Sequence, residues 1–196
     1  MTETEIRLAR LLAEIAYREA DVTLTSGRSS GFYIDAKKLT YHPEGMELVG
    51  RAVFGRIRAL DVQAIGGMVL GAVAIVTSTV LTARLAGVDI PGFVLRKDAR
   101  MHGLQKMIEG IAPEPGSRVA IVEDVVTSGG SVIESVERVR EAGLEVATAL
   151  VLVDREEGGA QAIAATGVPF QAICTVSQIR ALRDTAPPAD ARERRA

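Results

Sequence analysis

From residue 62 onward the chain alternates short, continuously apolar runs with stretches of helical periodicity, and this pattern restricts the fold more than any other feature. The succession is VQAIG (62–66), 72–86, GFVLR (92–96), RVAIV (118–122), 131–142, LEVATALVLV (144–153), 158–165 and PFQAIC (169–174). Continuous rather than alternating hydrophobicity marks strands covered on both faces, and the helical stretches supply the crossovers that parallel strands require. The fold class implied is α/β, a doubly wound, mainly parallel sheet flanked by helices. Ligands in such sheets sit beyond the carboxyl ends of the strands, so the loops after residues 66, 96, 122 and 153 are the first places to look for a site.

The segment before this core reads differently. Leu8, Leu11, Leu12 and Ile15 fall at helical spacing behind Thr4, predicting an amphipathic helix over 4–18. Residues 22–36 (VTLTSGRSSGFYIDA) mix β-formers with a Ser/Gly cluster, predicting two short strands joined by a turn. Pro43 opens a second helix with Met46, Val49, Val53 and Ile57 on one face. Val62–Ala83 is a 22-residue stretch without a charge, long enough to span a membrane. Its glycines 66, 67 and 71, its hydroxyl residues and its lack of aromatic flanks instead predict a buried strand, a glycine turn and a buried helix. The last residues, 186–196, are polar and aperiodic and predict a flexible tail behind one domain over 1–185.

A chain of 196 residues buries roughly 70% of its unfolded surface and needs no covalent staple. Its single cysteine, Cys174, has no internal partner, which together with an N-terminus lacking an apolar signal fits a reducing cytoplasm. A net charge of −2 gives no basic face for nucleic acid or an anionic membrane. Any anion must therefore be held locally.

The segment RVAIVEDVVTSGGSVIESVERVR, 118–140, offers such a place. It reads as a buried strand ending in two acids, a hydroxyl and glycine loop, and a helix beginning near Ser131. Thr127, Ser128, Gly129, Gly130 and Ser131 would turn hydroxyls and backbone N–H groups toward a phosphate at the positive end of the helix. Glu123 and Asp124 repel phosphate, but they suit sugar hydroxyls or the water of a bound Mg²⁺. The layout describes a ribose 5-phosphate clamp; an acidic strand end followed by a Ser/Gly helix cap is the plainer alternative.

This run, two acids, two apolar residues and then Thr-Ser-Gly-Gly-Ser, resembles the phosphoribosyl pyrophosphate (PRPP) motif of the type I phosphoribosyltransferases. Three further segments are similar to the orotate-using members of that family. LTSGRSSGFYIDAKKLTYHPEG (24–45) resembles their N-terminal ligand-binding segment, GFVLRKDARMHGLQKMIEG (92–110) their catalytic loop, and VDREEGG (153–159) the strand end whose arginine meets the orotate carboxylate. The resemblance implies the family's fold with a small N-terminal hood contributed by residues 1–40. It implies transfer of ribose 5-phosphate from PRPP to N1 of orotate, giving orotidine 5′-phosphate and pyrophosphate in pyrimidine nucleotide synthesis. It also implies Mg²⁺ carried by PRPP and water near Asp124, with no direct protein ligand, and a homodimer with shared sites.

Carried over residue by residue, catalysis would fall to Lys97, Arg100, His102 and Asp124. PRPP would be met by Thr25, Arg96, Lys97, Arg100, His102, Glu123, Asp124, Val125, Val126, Thr127, Ser128, Gly129, Gly130 and Ser131. Orotate would be met by Ser26, Tyr33, Ile34, Thr127 and Arg155. An Arg–carboxylate pair is the expected chemistry for the last of these. Arg100 stands where the family most often has lysine, and Thr25 where some relatives have lysine. The segment GGMVLGAVAIV has Ala72 and Val73 in place of any charged group, so a pyrophosphate contact there would run through backbone N–H groups. His42 reads as a surface histidine and Cys174 as core. Alternative functions are a phosphoribosyltransferase for another base, which would leave Arg155 unpaired, and a PRPP-binding regulatory protein.

Overall fold

The computed structural model describes residues 1–23, 29–97 and 107–184. Helix α1, Glu3–Ile15, opens with a capping box in which the Thr2 hydroxyl and the Glu5 carboxylate each accept a backbone N–H at the other's position. It turns at once into an antiparallel pair, β1 (Tyr17–Thr23) and β2 (Ser29–Ile34), with Tyr17 opposite Ile34 and Glu19 opposite Phe32. A short helix α2 (Lys37–Thr40) and the longer α3 (Pro43–Ile57) follow. The core then runs β3 (Ala64–Met68), α4 (Gly71–Leu85), β4 (Gly92–Leu95), β5 (Ile108–Gly110), β6 (Arg118–Val126), α5 (Gly130–Glu141), β7 (Glu145–Asp154), α6 (Gly159–Ala164), β8 (Phe170–Thr175) and α7 (Val176–Asp184).

Strands β3 to β8 form a six-stranded sheet in the order β5-β4-β3-β6-β7-β8. All neighbours are parallel except the edge strand β5, which runs antiparallel to β4. The continuous apolar runs have the cause expected of them, because successive residues serve opposite faces. Ile65, Ala120, Val122, Leu150 and Leu152 join the core beneath α1, α3 and α4. Ala64, Val119, Ile121, Ala149 and Val151 join the core with Val132, Val136 and Val139 of α5 and Ile163 of α6. Each of the Val, Leu and Ile side chains among them contributes about 1.5–3 kcal/mol by leaving water. The chain winds from β3 to β4 on one side and from β6 to β7 and β8 on the other. The crevice beyond the carboxyl ends of β3 and β6 is thus the sheet's switch point, where such folds bind ligands.

Several boundaries differ from the sequence expectation for identifiable reasons. The first helix stops at Ile15 and the first strand starts at Tyr17, five residues before 22, because the Tyr17 ring stacks on Phe32 at 5.7 Å and is buried. Strand β6 runs four residues past 122, since Val125 and Val126 keep register with Val153 and Asp154 of β7. The two acids therefore lie inside the strand. Val62–Ala83 divides into β3 and α4, and no helix among the described residues is long and apolar enough to cross a membrane. Strand β5, α2 and α7 were not anticipated. Helix α7 nevertheless carries a readable signal, a Thr-x-x-Gln box: Thr175 N–H donates to Gln178 Oε1 at 2.9 Å and Gln178 N–H to Thr175 Oγ1 at 3.3 Å. The tail, 186–196, lies outside the described residues.

Candidate active site

The site is built at the switch point. Glu123 is buried, and its Oε1 accepts the N–H of Asp124 at 3.1 Å, while Asp124 Oδ1 accepts the N–H of Val125 at 2.7 Å. Burial, reinforced by the charge of Asp124, pushes the Glu123 carboxyl up to about 8. This shift favours the protonated form of Glu123, which reduces the repulsion that two carboxylates would offer a phosphate. Gly71, at the start of α4 after the neighbouring strand β3, lies so close that a Cβ there would fall 2.0 Å from Glu123 Oε1 and 2.9 Å from Asp124 Oδ1. A side chain at this position would displace the carboxylates of the acid pair. The Val69–Leu70 peptide just before it is cis.

Beyond the acids, Thr127 is half-buried, Ser128 and Gly130 are exposed, and Gly129 takes φ +90° as the residue before α5. No side chain caps α5, so its first N–H groups remain for a ligand at the positive end of the helix dipole. The loop is backed by a second glycine turn. A Cβ on Gly159 would lie 2.7 Å from the Thr127 carbonyl oxygen and 3.2 Å from the Gly129 nitrogen, so the start of α6 touches the loop backbone directly. The Val126 side chain belongs to the core, and its carbonyl accepts the N–H of Arg155 at 3.1 Å. Val126 therefore offers a ligand no side chain, because the strand continues through it.

Arg155 is buried at the end of β7. Its Nε donates to Glu157 Oε1 at 2.8 Å, and its guanidinium lies 4.2 Å from the centre of the Phe32 ring. Arg180 of α7 lies 4.5 Å from the same ring centre and donates to the Tyr17 hydroxyl at 2.8 Å. This joins β2, the turn after β7 and α7 into one wall, of which the sequence reading named only Arg155, Tyr33 and Ile34. Tyr33 is exposed, but the Ile34 side chain is in the core, so Ile34 can serve a ligand only through its backbone.

On the other side of the crevice, the Arg96 N–H donates to the Met107 carbonyl at 3.1 Å and its guanidinium pairs with Glu109 at 2.9 Å. Lys97 follows, exposed. Thr25, Ser26, Arg100 and His102 lie outside the described residues. Lys37 was not singled out in the sequence. Its Nζ lies 3.5 Å from Asp35 Oδ1, and its ammonium is held above the usual lysine range, against the cost of burial, by the charges of Asp124 and Asp35. His42 caps α3, its Nδ1 accepting the Gly45 N–H at 3.3 Å. Cys174 is buried and its thiol is pushed up to about 12, so it is no nucleophile. Among the described residues no three His, Cys, Asp or Glu side chains converge as a metal cage.

A parallel sheet with paired acids and a glycine loop at its switch point defines the class, and residues 73–168 match the family described as Phosphoribosyl transferase domain. The chain is a glycosyltransferase of that type. The orotate phosphoribosyltransferase of Sorangium cellulosum is 43% identical over 171 residues, 86% of this chain and 89% of that one. The orotate phosphoribosyltransferase of Nostoc sp. is 38% identical over 174 residues, 89% of this chain and 84% of that one. The crystal structure of Mycobacterium tuberculosis orotate phosphoribosyltransferase in complex with PRPP superposes with a TM-score of 0.75 at 31% identity, over 90% of this chain and 99% of that one. The chain belongs to the orotate phosphoribosyltransferase family.

Proposed function

We propose that the loop Thr127–Ser131 holds the 5-phosphate of PRPP, that Glu123 and Asp124 receive its ribose hydroxyls, and that the wall around Tyr33, Phe32 and Arg155 presents orotate. The reaction is the one proper to the family, transfer of the phosphoribosyl group from PRPP to orotate in pyrimidine biosynthesis. The observation that carries this assignment of roles is the meeting of an uncapped helix start with an acid pair, Glu123 buried and Asp124 half-buried, at the switch point.

The carbon–nitrogen bond forms as pyrophosphate leaves, through a transition state with oxocarbenium character, so no protein nucleophile is required. What the chain supplies is position and charge. Lys97, together with Arg100 and His102, stabilises negative charge that grows on the departing pyrophosphate. Arg155 pairs with the orotate carboxylate and fixes which ring nitrogen faces the anomeric carbon. The acid pair would suit Mg²⁺ brought in on PRPP oxygens and water, with Asp124 holding such an ion through its water shell. Such an ion supplies charge neutralisation of the leaving group. A homodimer with shared sites is part of this reading. Its support is an apolar outward strip on α4 and the turn after it, with Leu81, Leu85 and Val88 58%, 81% and 42% exposed.

The test mixes purified protein with PRPP, Mg²⁺ and orotate and follows loss of orotate absorbance, with uracil, hypoxanthine and adenine in parallel. Turnover of orotate alone is expected. Binding of PRPP without turnover of any base would replace the enzyme by a regulatory binding protein.

A further inference from the structure

Helix α5 starts at the glycine loop, and two turns later its Arg138 leaves the helix surface for the other side of the crevice. Its guanidinium donates to the carbonyl of Arg96 and, at 2.9 Å, to the carbonyl of Lys97. The same side chain pairs with Glu134 one turn earlier on α5. It is largely buried, at 15% side-chain exposure. A planar guanidinium can span two successive carbonyls and a carboxylate at once, which an ammonium cannot do with the same geometry. Arg96 is further fixed by its backbone bond to Met107 and its ion pair with Glu109. The corner 96–97 is thereby tied both to the sheet edge and to α5.

We propose that Arg138 is a positioning residue for the phosphoribosyl-transfer reaction: it sets the backbone from which Arg96 and Lys97 project at a fixed distance from the glycine loop at the head of α5. The inference rests on the functional reading above and extends it to a side chain bonded to the carbonyls of Arg96 and Lys97 and to Glu134. One helix carries both ends of the arrangement, the phosphate loop at its start and the arginine clamp in its last turn. A shift of the 96–97 corner would misplace charge intended for the pyrophosphate while leaving the orotate wall intact.

Steady-state kinetics with varied PRPP and varied orotate test this on Arg138→Gln, Glu134→Gln and Arg138→Lys, with thermal melting of each variant. Arg138→Gln is expected to lower kcat/KM for PRPP about tenfold, with KM for orotate unchanged. Glu134→Gln, which leaves the arginine in place but unoriented, is expected to give a smaller loss of the same kind and keeps the test open if Arg138→Gln melts early. Arg138→Lys recovers part of the loss. Wild-type kinetics for PRPP in both Arg138→Gln and Glu134→Gln would overturn the proposal, as would an equal loss toward both substrates. A wild-type protein that turns over orotate normally separates that result from failure of the functional reading, which an inactive wild type would overturn together with this inference.

Discussion

The two walls of the crevice are made in different ways. The phosphate wall is a continuous stretch of chain, β6 through α5, whose shape is set by backbone: Gly129 in the left-handed region and Gly159 against the Thr127 carbonyl. The wall around Arg155 is assembled from three distant segments by side chains: Phe32 from β2, Arg155 after β7 and Arg180 from α7. A backbone cradle is intolerant of added atoms, whereas a side-chain wall is intolerant of lost ones. Substitutions on the two sides should therefore fail in opposite ways.

The largest effect is expected from adding bulk to the cradle. Gly159→Val sets branched carbons where even a Cβ would lie 2.7 Å from the Thr127 oxygen. Displacing the loop by about 1 Å should reduce kcat/KM for PRPP by at least about 100-fold. The loss should fall on PRPP binding, measured by calorimetry, with orotate affinity in the presence of pyrophosphate much less affected. Equal loss toward both ligands would mean that the two walls are not separable.

The same contrast governs what could be read from the sequence. The glycine loop and acid pair are contiguous, so their chemistry is visible in 118–140 without knowledge of the fold, and the continuous apolar runs pointed to the strand ends after 66, 96, 122 and 153, from which the strand order singles out the switch point. The side-chain wall was visible only in part. Arg155 stands beside a recognisable strand end, but Phe32 and Arg180 are separated by most of the chain, and α7 follows β8 with no glycine or proline between them. Its Thr175–Gln178 box was the available signal. Ile34 entered with Tyr33 through the resemblance of 24–45, which does not say which face of a short strand meets the core; the structure turns Ile34 inward, leaving its backbone, and Tyr33 out.

On the side-chain wall the expected failure is loss of a partner. Arg155→Gln should raise KM for orotate roughly 30-fold, the scale of hydrogen bonds to a charged group, with KM for PRPP little changed. It should also lower stability, because it strips Glu157 of its ion pair and Phe32 of the cation above its ring. Glu157→Gln distinguishes attraction from orientation. If Glu157 only occupies Arg155 in the absence of orotate, KM for orotate falls or stays the same; a rise as large as that of Arg155→Gln would mean that the arginine is useless without its internal carboxylate.

A smaller effect is expected where the two walls adjoin, at Lys37. The segment 66–73 brings no cation to the acid pair, and Lys37, held loosely by Asp35, feels the charge of Asp124. Lys37→Gln should raise KM for PRPP by about fivefold, the upper range for a half-exposed charge, with the effect shrinking as salt rises. A salt-independent change would point to packing rather than charge.

The smallest effect is one on stability, and it tests whether the cradle's acid pair holds its proton. With its carboxyl pushed up to about 8 by burial and the charge of Asp124, Glu123 is expected to keep in the native chain a proton that the unfolded chain releases near 4.5. Between those values the native state carries more protons than the unfolded state, so stability falls as pH rises through the window. Below pH 4.5 the residue imposes no such cost, and above pH 8 the cost is complete. Glu123→Gln removes the titration while keeping the shape and the acceptor for the Asp124 N–H. Its melting temperature should match wild type near pH 4.5 and exceed it by about 5 °C at pH 9, measured without ligand or divalent cation. Parallel melting curves at all pH values would show that the pair is fully ionised at neutral pH. The crevice would then hold two negative charges before PRPP arrives, and the cations around it, Lys37 among them, would have to offset both.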